Sequence, residues 1–575
     1  MTHFLTPEAA RDGARGLTLA HPHIALCDDP LFLWSRDRAP VRRVGLVSGG
    51  GSGHEPLHTG LLGPGGLDAV APGEVFASPH ARQIVGASMA AAGASDGGVL
   101  HIVKNYTGDR VNFSLAADQL RAEGYEVAQV VVDDDVATSG SAAGRRGTAA
   151  TVVVEKLLGA AADRGTDLAG LADLGTRIAA CSRSLAVAAR AHTSPSTRRT
   201  AFTLGQEIDY GAGIHGERGA RTINSLRPTE FVVRRMLTDL LDSVTAGREG
   251  VILLVNGLGA TTELELRAIS ALAHACLVEQ GVEVAVVAAG TYTAALDTSG
   301  FSLTLTALSP GWLDLWCAPA RTPLHLPGAT APPTARTTGP DFVRRTPVRR
   351  TRTRGRRDVL ERLGAICATV HADLTHLDQR AGDGDFGDNF TSGVTRAVAR
   401  AREDGTAGMT ALAEAFTTHV GGTSGPLFGI LFQHLAVALG DEEHADTAAL
   451  AAACTAAAED IGRIGGARVG DRTLLDALVP AAESLTASAR SRRAAPLTAA
   501  ALAAVKGAHR TAGLTARRGR SSYVGDHATG VADPGAIAVA LICAALAETY
   551  EPTHATRLPG PSHIAVLAPS TEAVD

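Results

Sequence analysis

Three short stretches of this 575-residue chain set a reactive side chain among glycines. The first reads Ser48-Gly49-Gly50-Gly51-Ser52-Gly53-His54-Glu55-Pro56 and the second Lys104-Asn105-Tyr106-Thr107-Gly108-Asp109. The third is Gly211-Ala212-Gly213-Ile214-His215-Gly216-Glu217. Glycines leave backbone N–H groups uncovered, so a small polar ligand can come within bonding distance of a neighbouring imidazole. A lysine and a carboxylate that straddle a turn can bind a hydroxyl and take its proton. A neutral imidazole nitrogen with so little cover can add to a small carbonyl. Each stretch also has a plainer reading, as a tight turn, a helix cap at Asp109 or a loop histidine. The first is neither a dinucleotide fingerprint, because His54 stands at its last glycine, nor a phosphate loop, because no Gly-Lys-Ser/Thr follows. Nor is it a nucleophile elbow.

A second set of residues lies far downstream. Asp378, Asp383, Asp385 and Asp388 fall within eleven positions, separated by glycines. The spacing fails a calcium loop, since glycine sits where the third oxygen ligand belongs and no glutamate closes it. Mg²⁺ asks for one or two carboxylates with phosphate oxygens and water, and the trio Asp378, Asp383 and Asp385 can supply a compact set for two such ions. An acidic turn between helices is the plainer reading. Gly421-Gly422-Thr423-Ser424-Gly425 precedes a helix expected from Pro426, which suits phosphate. Gly470-Asp471-Arg472 and Asp533-Pro534-Gly535 add further polar turns, in which Asp471 and Asp533 also suit helix caps.

The elements that must carry these residues are of two kinds. From about Arg42 to Trp316, Val/Ile/Leu runs (VRRVGLVSGG, GGVLHIVKN, EVAQVVVDDD, REGVILLVNGLG, VEVAVVAAG) read as buried strands between Ala/Leu-rich helices. This is α/β architecture in two subdomains with buried sheets, and in such sheets ligands collect beyond the carboxyl ends of the strands. Residues 326–356 are a Pro/Thr/Arg-rich linker, with eight arginines among residues 344–357 and no amphipathic face. It separates an α/β domain, 1–325, from an all-α domain, 357–575. In the latter, eight helices are expected from near Arg357, Asp388, Thr410, Pro426, Ala445, Thr473, Pro496 and Gly535. The polar turns at 378–389, 421–425, 465–472 and 519–535 follow alternate helices, which gathers them at one end of an antiparallel barrel.

Composition narrows the class. Apolar residues make up 45% and charged residues 19%, and the formal net charge is −6. That balance suits soluble globular domains and exerts no pull toward nucleic acid or an acidic membrane. The seven cysteines are scattered singly, without zinc spacing. The first residues lack the apolar core of a signal peptide, and no apolar run approaches roughly 18 residues, so a cytoplasmic protein without a membrane partner is expected.

With Gly73-Glu74-Val75-Phe76-Ala77-Ser78-Pro79 and Gly144-Arg145-Arg146-Gly147, the N-terminal stretches resemble, in order and spacing, the substrate-binding part of dihydroxyacetone kinases over about residues 8–320. The downstream motifs resemble the nucleotide-binding domain of the same kinases, a barrel of eight helices, over about residues 357–550. The resemblance implies a hemiaminal between the substrate carbonyl and His215. Asp109 is then the candidate base for the hydroxyl, with His54, polarising the same region, as the alternative acceptor of its proton. Substrate contacts fall on Gly50, Gly51, Ser52, Gly53, His54, Ser78, Lys104 and Asp109. It also implies two Mg²⁺ ions on Asp378, Asp383 and Asp385, and ATP contacts on Asn389, Gly422, Thr423, Ser424, Gly470, Arg472 and Asp533. Many members carry a small or polar residue at Phe386, so a phosphate contact from that side chain would be lost.

The implied reaction is ATP-dependent phosphorylation of dihydroxyacetone, in a homodimer whose sugar and ATP sites meet across chains. Erythrulose and glyceraldehyde are alternative substrates, and cyclisation of FAD to cyclic FMN is an alternative activity. A phosphoenolpyruvate-driven phosphocarrier is disfavoured because both halves share one chain. A regulator that only binds triose is disfavoured because His215 and the aspartate trio are both kept.

Overall fold

All five apolar runs expected as strands form them in the computed structural model. It describes residues 5–6, 8–93, 97–141, 144–194, 200, 204–205, 207–219, 221–224, 227–244, 249–330, 358–381, 386–421, 423–440, 446–517 and 530–565. Two units, Met1–Thr337 and Thr338–Asp575, each hold their own contacts. Residues 331–356 of the expected linker lie outside the described residues.

The first sheet contains β1 (Ile24–Asp28), β2 (Leu31–Ser35), β3 (Gly45–Ser52), β4 (Ala69–Val75), β5 (Val99–Lys104) and β6 (Val127–Val132), in the order β1-β2-β4-β3-β5-β6. Strands β4, β3, β5 and β6 are parallel, so their carboxyl ends point the same way. The second sheet contains β7 (Ser182–Arg190), β8 (Glu207–Tyr210), β9 (Arg221–Asn224), β10 (Val251–Gly257), β11 (Val284–Gly290) and β12 (Ser299–Ala307), in the order β11-β10-β12-β7-β8-β9. Here only β10 and β11 pair in parallel. Seven of these strands were not expected: β1, β2, β4, β7, β8, β9 and β12. Their signals are weak for physical reasons. Pro72-Gly73 interrupts β4, β8 and β9 are four residues each, and β12 alternates Ser and Thr with Leu.

Among the described residues eight helices complete this unit: α1 (Ala9–Ala20), α2 (Ala81–Ala92), α3 (Thr107–Ala122), α4 (Ala150–Asp163), α5 (Leu168–Ala180), α6 (Thr229–Leu241), α7 (Glu263–Glu279) and α8 (Trp312–Trp316). Helix α4 touches β5 and β6 of the first sheet and β7 and β12 of the second, and nearly every one of its residues is buried. A helix apolar all round must be covered on every face, and α4 is covered by both sheets.

The second unit is helical, with α9 (Asp358–Ala381), α10 (Phe386–Asp404), α11 (Gly408–His419), α12 (Ser424–Leu439), α13 (Thr447–Gly465), α14 (Leu475–Ser491), α15 (Pro496–Arg510) and α16 (Pro534–Tyr550). Every start falls within two residues of its expected position. Each helix packs on its neighbours in the chain and α16 packs on α9, which closes the ring. Short connections make sequential helices antiparallel, so the turns after α9, α11, α13 and α15 share one rim. Helix α16 has almost no polar face, and two short helices, Pro552–Ala555 and Pro561–Ala565, pack against it. No helix among the described residues is long and apolar enough to cross a membrane.

Candidate active site

The parallel strands of the first sheet deliver their exits to one edge. Gly49, Gly50, Gly51 and Ser52, expected as part of a turn, are the last residues of β3, paired with β4, and the chain turns only from Gly53; Phe76 and Ser78 follow β4, and Lys104 ends β5 with Asp109 in the first turn of α3. From the second sheet, the loop after β8 brings His215 to the same place. His54 and His215, 161 positions apart, face each other with their Nε2 atoms 3.1 Å apart.

Glycine is required here by close approach. A Cβ on Gly51 would lie 2.8 Å from the backbone nitrogen of Ala77, and one on Gly50 would lie 2.8 Å from Lys104 Nζ. Gly53 takes φ +99°, which a side chain would strain. Gly108 admits Ser78, whose Oγ would otherwise be 2.6 Å from a Cβ. The Ser52 hydroxyl is already committed, donating to the Gly73 carbonyl at 2.7 Å.

The His54 ring is fully buried, and its Nδ1 lies 2.8 Å from the Ala294 carbonyl, to which it must donate. Burial first, then the charges of Lys104 and His215, hold His54 well below the usual histidine range. His215 is partly open, its side chain 23% exposed. Its Nδ1 faces Glu217 Oε1 at 3.4 Å, and its backbone N–H donates to Glu217 Oε2 at 2.9 Å. Burial works to raise Glu217, but the hydrogen bonds and charge of His215 prevail and hold it at about 2. The four ring nitrogens therefore face a carbonyl, each other and a carboxylate. Satisfying all three contacts takes three protons, one more than two neutral rings carry.

Aromatic rings wall the pair. Phe76 stacks on His54 at 5.1 Å, and it and Tyr106 meet His215 edge-on at 5.4 and 4.6 Å. Phe76 and Leu296, which packs on Gly53, both sit at positive φ, 58° and 52°, as few non-glycine residues do. Arg146 binds Asp135 at 2.6 Å and the Gly211 carbonyl at 2.9 Å, which ties the His215 loop to the exit of β6. Asp109 does not cap α3. It is 3% exposed, and its Oδ1 has no hydrogen-bond partner; nor has Lys104 Nζ, at 1% exposed. Two buried groups of opposite charge thus leave bonding capacity unused, a state native structures rarely tolerate without a ligand. Phe76, Tyr106, Glu217 and Arg146 all lay inside motifs noticed in the sequence, yet only the fold gives them roles around His215.

In the helical unit, Asp383, Asp385 and Gly422 lie outside the described residues. Asp378 is buried at the end of α9 and its Oδ2 accepts the backbone N–H of Phe386 at 3.0 Å. Asn389 is half-buried on the first turns of α10. Thr423 and Ser424 head α12, whose first amides receive no side-chain cap. Gly470, at φ +94°, donates to Asp476 Oδ1 at 2.6 Å. Arg472, at φ +62° and 2% exposed, donates to the Val531 carbonyl at 2.8 Å. Asp533 caps α16 through Ala536 N–H at 2.8 Å. Burial, reinforced by the carboxylates of Asp476 and Asp378 and opposed by Arg472, raises Asp533 to about 7. Carboxylates crowded this closely at one rim fit a hard cation as their missing partner. Among the described residues alone no complete metal-ligand cluster forms. Phe386 is part of the core, stacked on Phe390 at 5.7 Å and beside Phe428, so its ring is turned away from the rim.

Comparison with known proteins gives the same division. Residues 15–324 match the Dak1 domain and residues 380–548 the DAK2 domain. The chain belongs to the dihydroxyacetone kinase family. It is a phosphotransferase by that membership. It is 34% identical to the rat "Triokinase/FMN cyclase" over 94% of this chain and 97% of the relative. It is equally 34% identical to the "L-erythrulose 1-kinase" of Mycolicibacterium smegmatis, over 95% and 99%. The crystal structure of the dihydroxyacetone kinase from C. freundii in complex with AMP-PNP and Mg²⁺ is similar at TM-score 0.57 and 29% identity, covering 95% of this chain and all of that one.

Proposed function

We propose that the chain transfers the γ-phosphoryl group of ATP to a terminal hydroxyl of dihydroxyacetone. The observation that carries this reading is a pair of buried, unpartnered groups, Lys104 Nζ and Asp109 Oδ1, at the exit of the strand next to the one that presents His54 to His215. A three-carbon ketose is too small to be held by contact area, and a covalent anchor compensates. His215 Nε2 adds its lone pair to the substrate carbonyl carbon. The C=O π bond opens, the oxygen takes up a proton, and the ring gives up its Nδ1 proton on the side of Glu217, leaving a neutral hemiaminal. His54, kept neutral with Nδ1 donating to Ala294, offers its Nε2 lone pair to the new hydroxyl. Lys104 hydrogen-bonds the terminal hydroxyl, and Asp109 takes its proton as that oxygen attacks the γ-phosphorus in line. The bond from phosphorus to the β–γ bridging oxygen breaks, and ADP leaves.

On the helical unit, Asp378, Asp383 and Asp385 are proposed to hold Mg²⁺, which when bound neutralises phosphate charge. Thr423, Ser424, Gly422 and the start of α12 are proposed to receive phosphate oxygens, with Asn389, Gly470, Arg472 and Asp533 around the nucleotide. The active form is proposed to be a homodimer, which sedimentation at working concentration tests.

The deciding experiment measures ADP release with dihydroxyacetone, glyceraldehyde and erythrulose, with and without Mg²⁺. The reading expects Mg²⁺-dependent turnover greatest on the three-carbon ketose. No triose-dependent ADP release would overturn it, and a preference for erythrulose would move the substrate to four carbons.

A further inference from the structure

Beneath Gly50, near the end of β3, lies a second polar network that substrate contacts leave unexplained. Glu155 stands on α4, between the two sheets, and is fully buried. Its Oε1 is 2.5 Å from His58 Nδ1, while Oε2 has no partner. Ser48 Oγ also lies 2.9 Å from His58 Nδ1 and donates its own proton to the Ile102 carbonyl at 2.8 Å. A carboxylate only accepts, and a hydroxyl that is already donating can only accept, so in the neutral ring the proton sits on Nδ1. His58 Nε2 is then a bare acceptor, buried and without a partner.

That acceptor is aimed at Gly50. A Cβ there would be 3.3 Å from His58 Nε2 and 2.8 Å from Lys104 Nζ, so imidazole and ammonium both come close to the same point. The titratable groups around Nζ are Asp109 on α3, Glu155 on α4, Glu55, His54 and His58 on the turn after β3, and Asp134 after β6. Burial lowers the pKa of Lys104, and Asp109 and then Glu155 do most to oppose it. The order matters for catalysis. Asp109 loses its charge when it takes the hydroxyl proton, so at that moment the ammonium loses its first counter-charge. Glu155 is fully buried and takes no part in that transfer.

We propose that Glu155, with His58 as its extension, is a positioning residue that holds Lys104 against Gly50 as an ammonium throughout turnover. The proposal rests on the reading of the α/β unit as the triose site. It explains why a carboxylate is tolerated inside a helix buried on all sides, where an unpaired charge is costly.

The test is the pH dependence of kcat/KM for dihydroxyacetone, from about pH 6 to about pH 10, in wild type, Glu155→Gln, Glu155→Asp and His58→Gln. Without the carboxylate Lys104 deprotonates more easily, so the alkaline limb in Glu155→Gln should move about one unit to lower pH, with about a tenfold loss at pH values above the wild-type limb. Glu155→Asp keeps the charge and should keep the limb near its wild-type position even where kcat falls. His58→Gln should move the limb the same way by a smaller step. An unmoved limb in Glu155→Gln, or equal shifts in the Gln and Asp variants, overturns the proposal. Circular dichroism establishes folding, and if Glu155→Gln does not fold, the presence or absence of the His58→Gln shift decides. Wild type without triose turnover would sink the functional reading itself, whereas wild-type turnover with unmoved limbs sinks this inference alone.

Discussion

The α/β unit and the helical unit use opposite kinds of site. In the first, the groups proposed for chemistry are side chains on strand ends and the loops that meet them, and all but the partly open His215 are buried to a few per cent. His54 is fixed by Ala294, and Lys104 and Asp109 are sealed within the fold. In the second, the corresponding residues ride on turns at one rim of a barrel, and much of the binding capacity is backbone N–H at the start of α12 and carboxylates around Asp533. The difference follows from the ligands proposed for each. A small neutral ketose gives little surface to hold, so geometry and covalent chemistry must select it. A triphosphate brings charge in abundance, and helix ends and cations suffice to bind it.

If this division is right, the two sites fail differently. The largest effect is expected from His215→Ala. Losing the covalent anchor should lower kcat/KM for dihydroxyacetone by about 10³-fold or more, mostly through KM, while the affinity for a nonhydrolysable ATP analogue stays unchanged. An unchanged KM for the ketose would remove the hemiaminal from the mechanism. Asp378→Asn should do the reverse, lowering kcat by about 10²-fold and the apparent Mg²⁺ affinity with it, with triose binding by calorimetry intact. A variant that loses triose binding as well would show that the two sites are not independent. Glu217→Gln is gentler. It keeps a hydrogen-bond acceptor at His215 Nδ1 but removes the charge, and should cost about tenfold in kcat/KM, with rescue by Glu217→Asp.

The same contrast decides what could be read from sequence. Every helix start of the second unit was legible because amphipathic period, glycine and proline act locally and the ring closes between chain neighbours. In the first unit the five strands buried on both faces announced themselves, and the glycine turns pointed to His54, Lys104, Asp109 and His215. What stayed hidden is what long-range pairing creates. Glu155 stands beside Lys156 in a mostly apolar helix, and nothing local ties it to His58, 97 positions away. Phe76 was visible in its motif, but its positive φ and its stacking on His54 exist only once β4 lies beside β3. At Phe386 the reading and the structure agree: the side chain expected to make no phosphate contact packs into the core on Phe390.

The smallest expected effect concerns stability. His101, in the middle of β5, is fully buried with its Nε2 2.9 Å from Ser88 Oγ and Phe113 edge-on at 5.3 Å. Burial first, and then the charge of Arg121, lowers it to about 3. An unfolded histidine titrates near 6.5, so between those values the unfolded chain takes up a proton that the folded chain refuses. The stability from this group is fully present above about pH 6.5 and falls as the pH is lowered, by at most about 1.4 kcal/mol per unit. In calorimetric unfolding from about pH 7 to about pH 5, His101→Gln should flatten the acid slope of the α/β unit's transition and leave that of the helical unit where it was. Equal flattening of both transitions would mean that the two units do not unfold separately. An unchanged slope would assign the acid sensitivity to another neutral buried group, with His54 the next to replace.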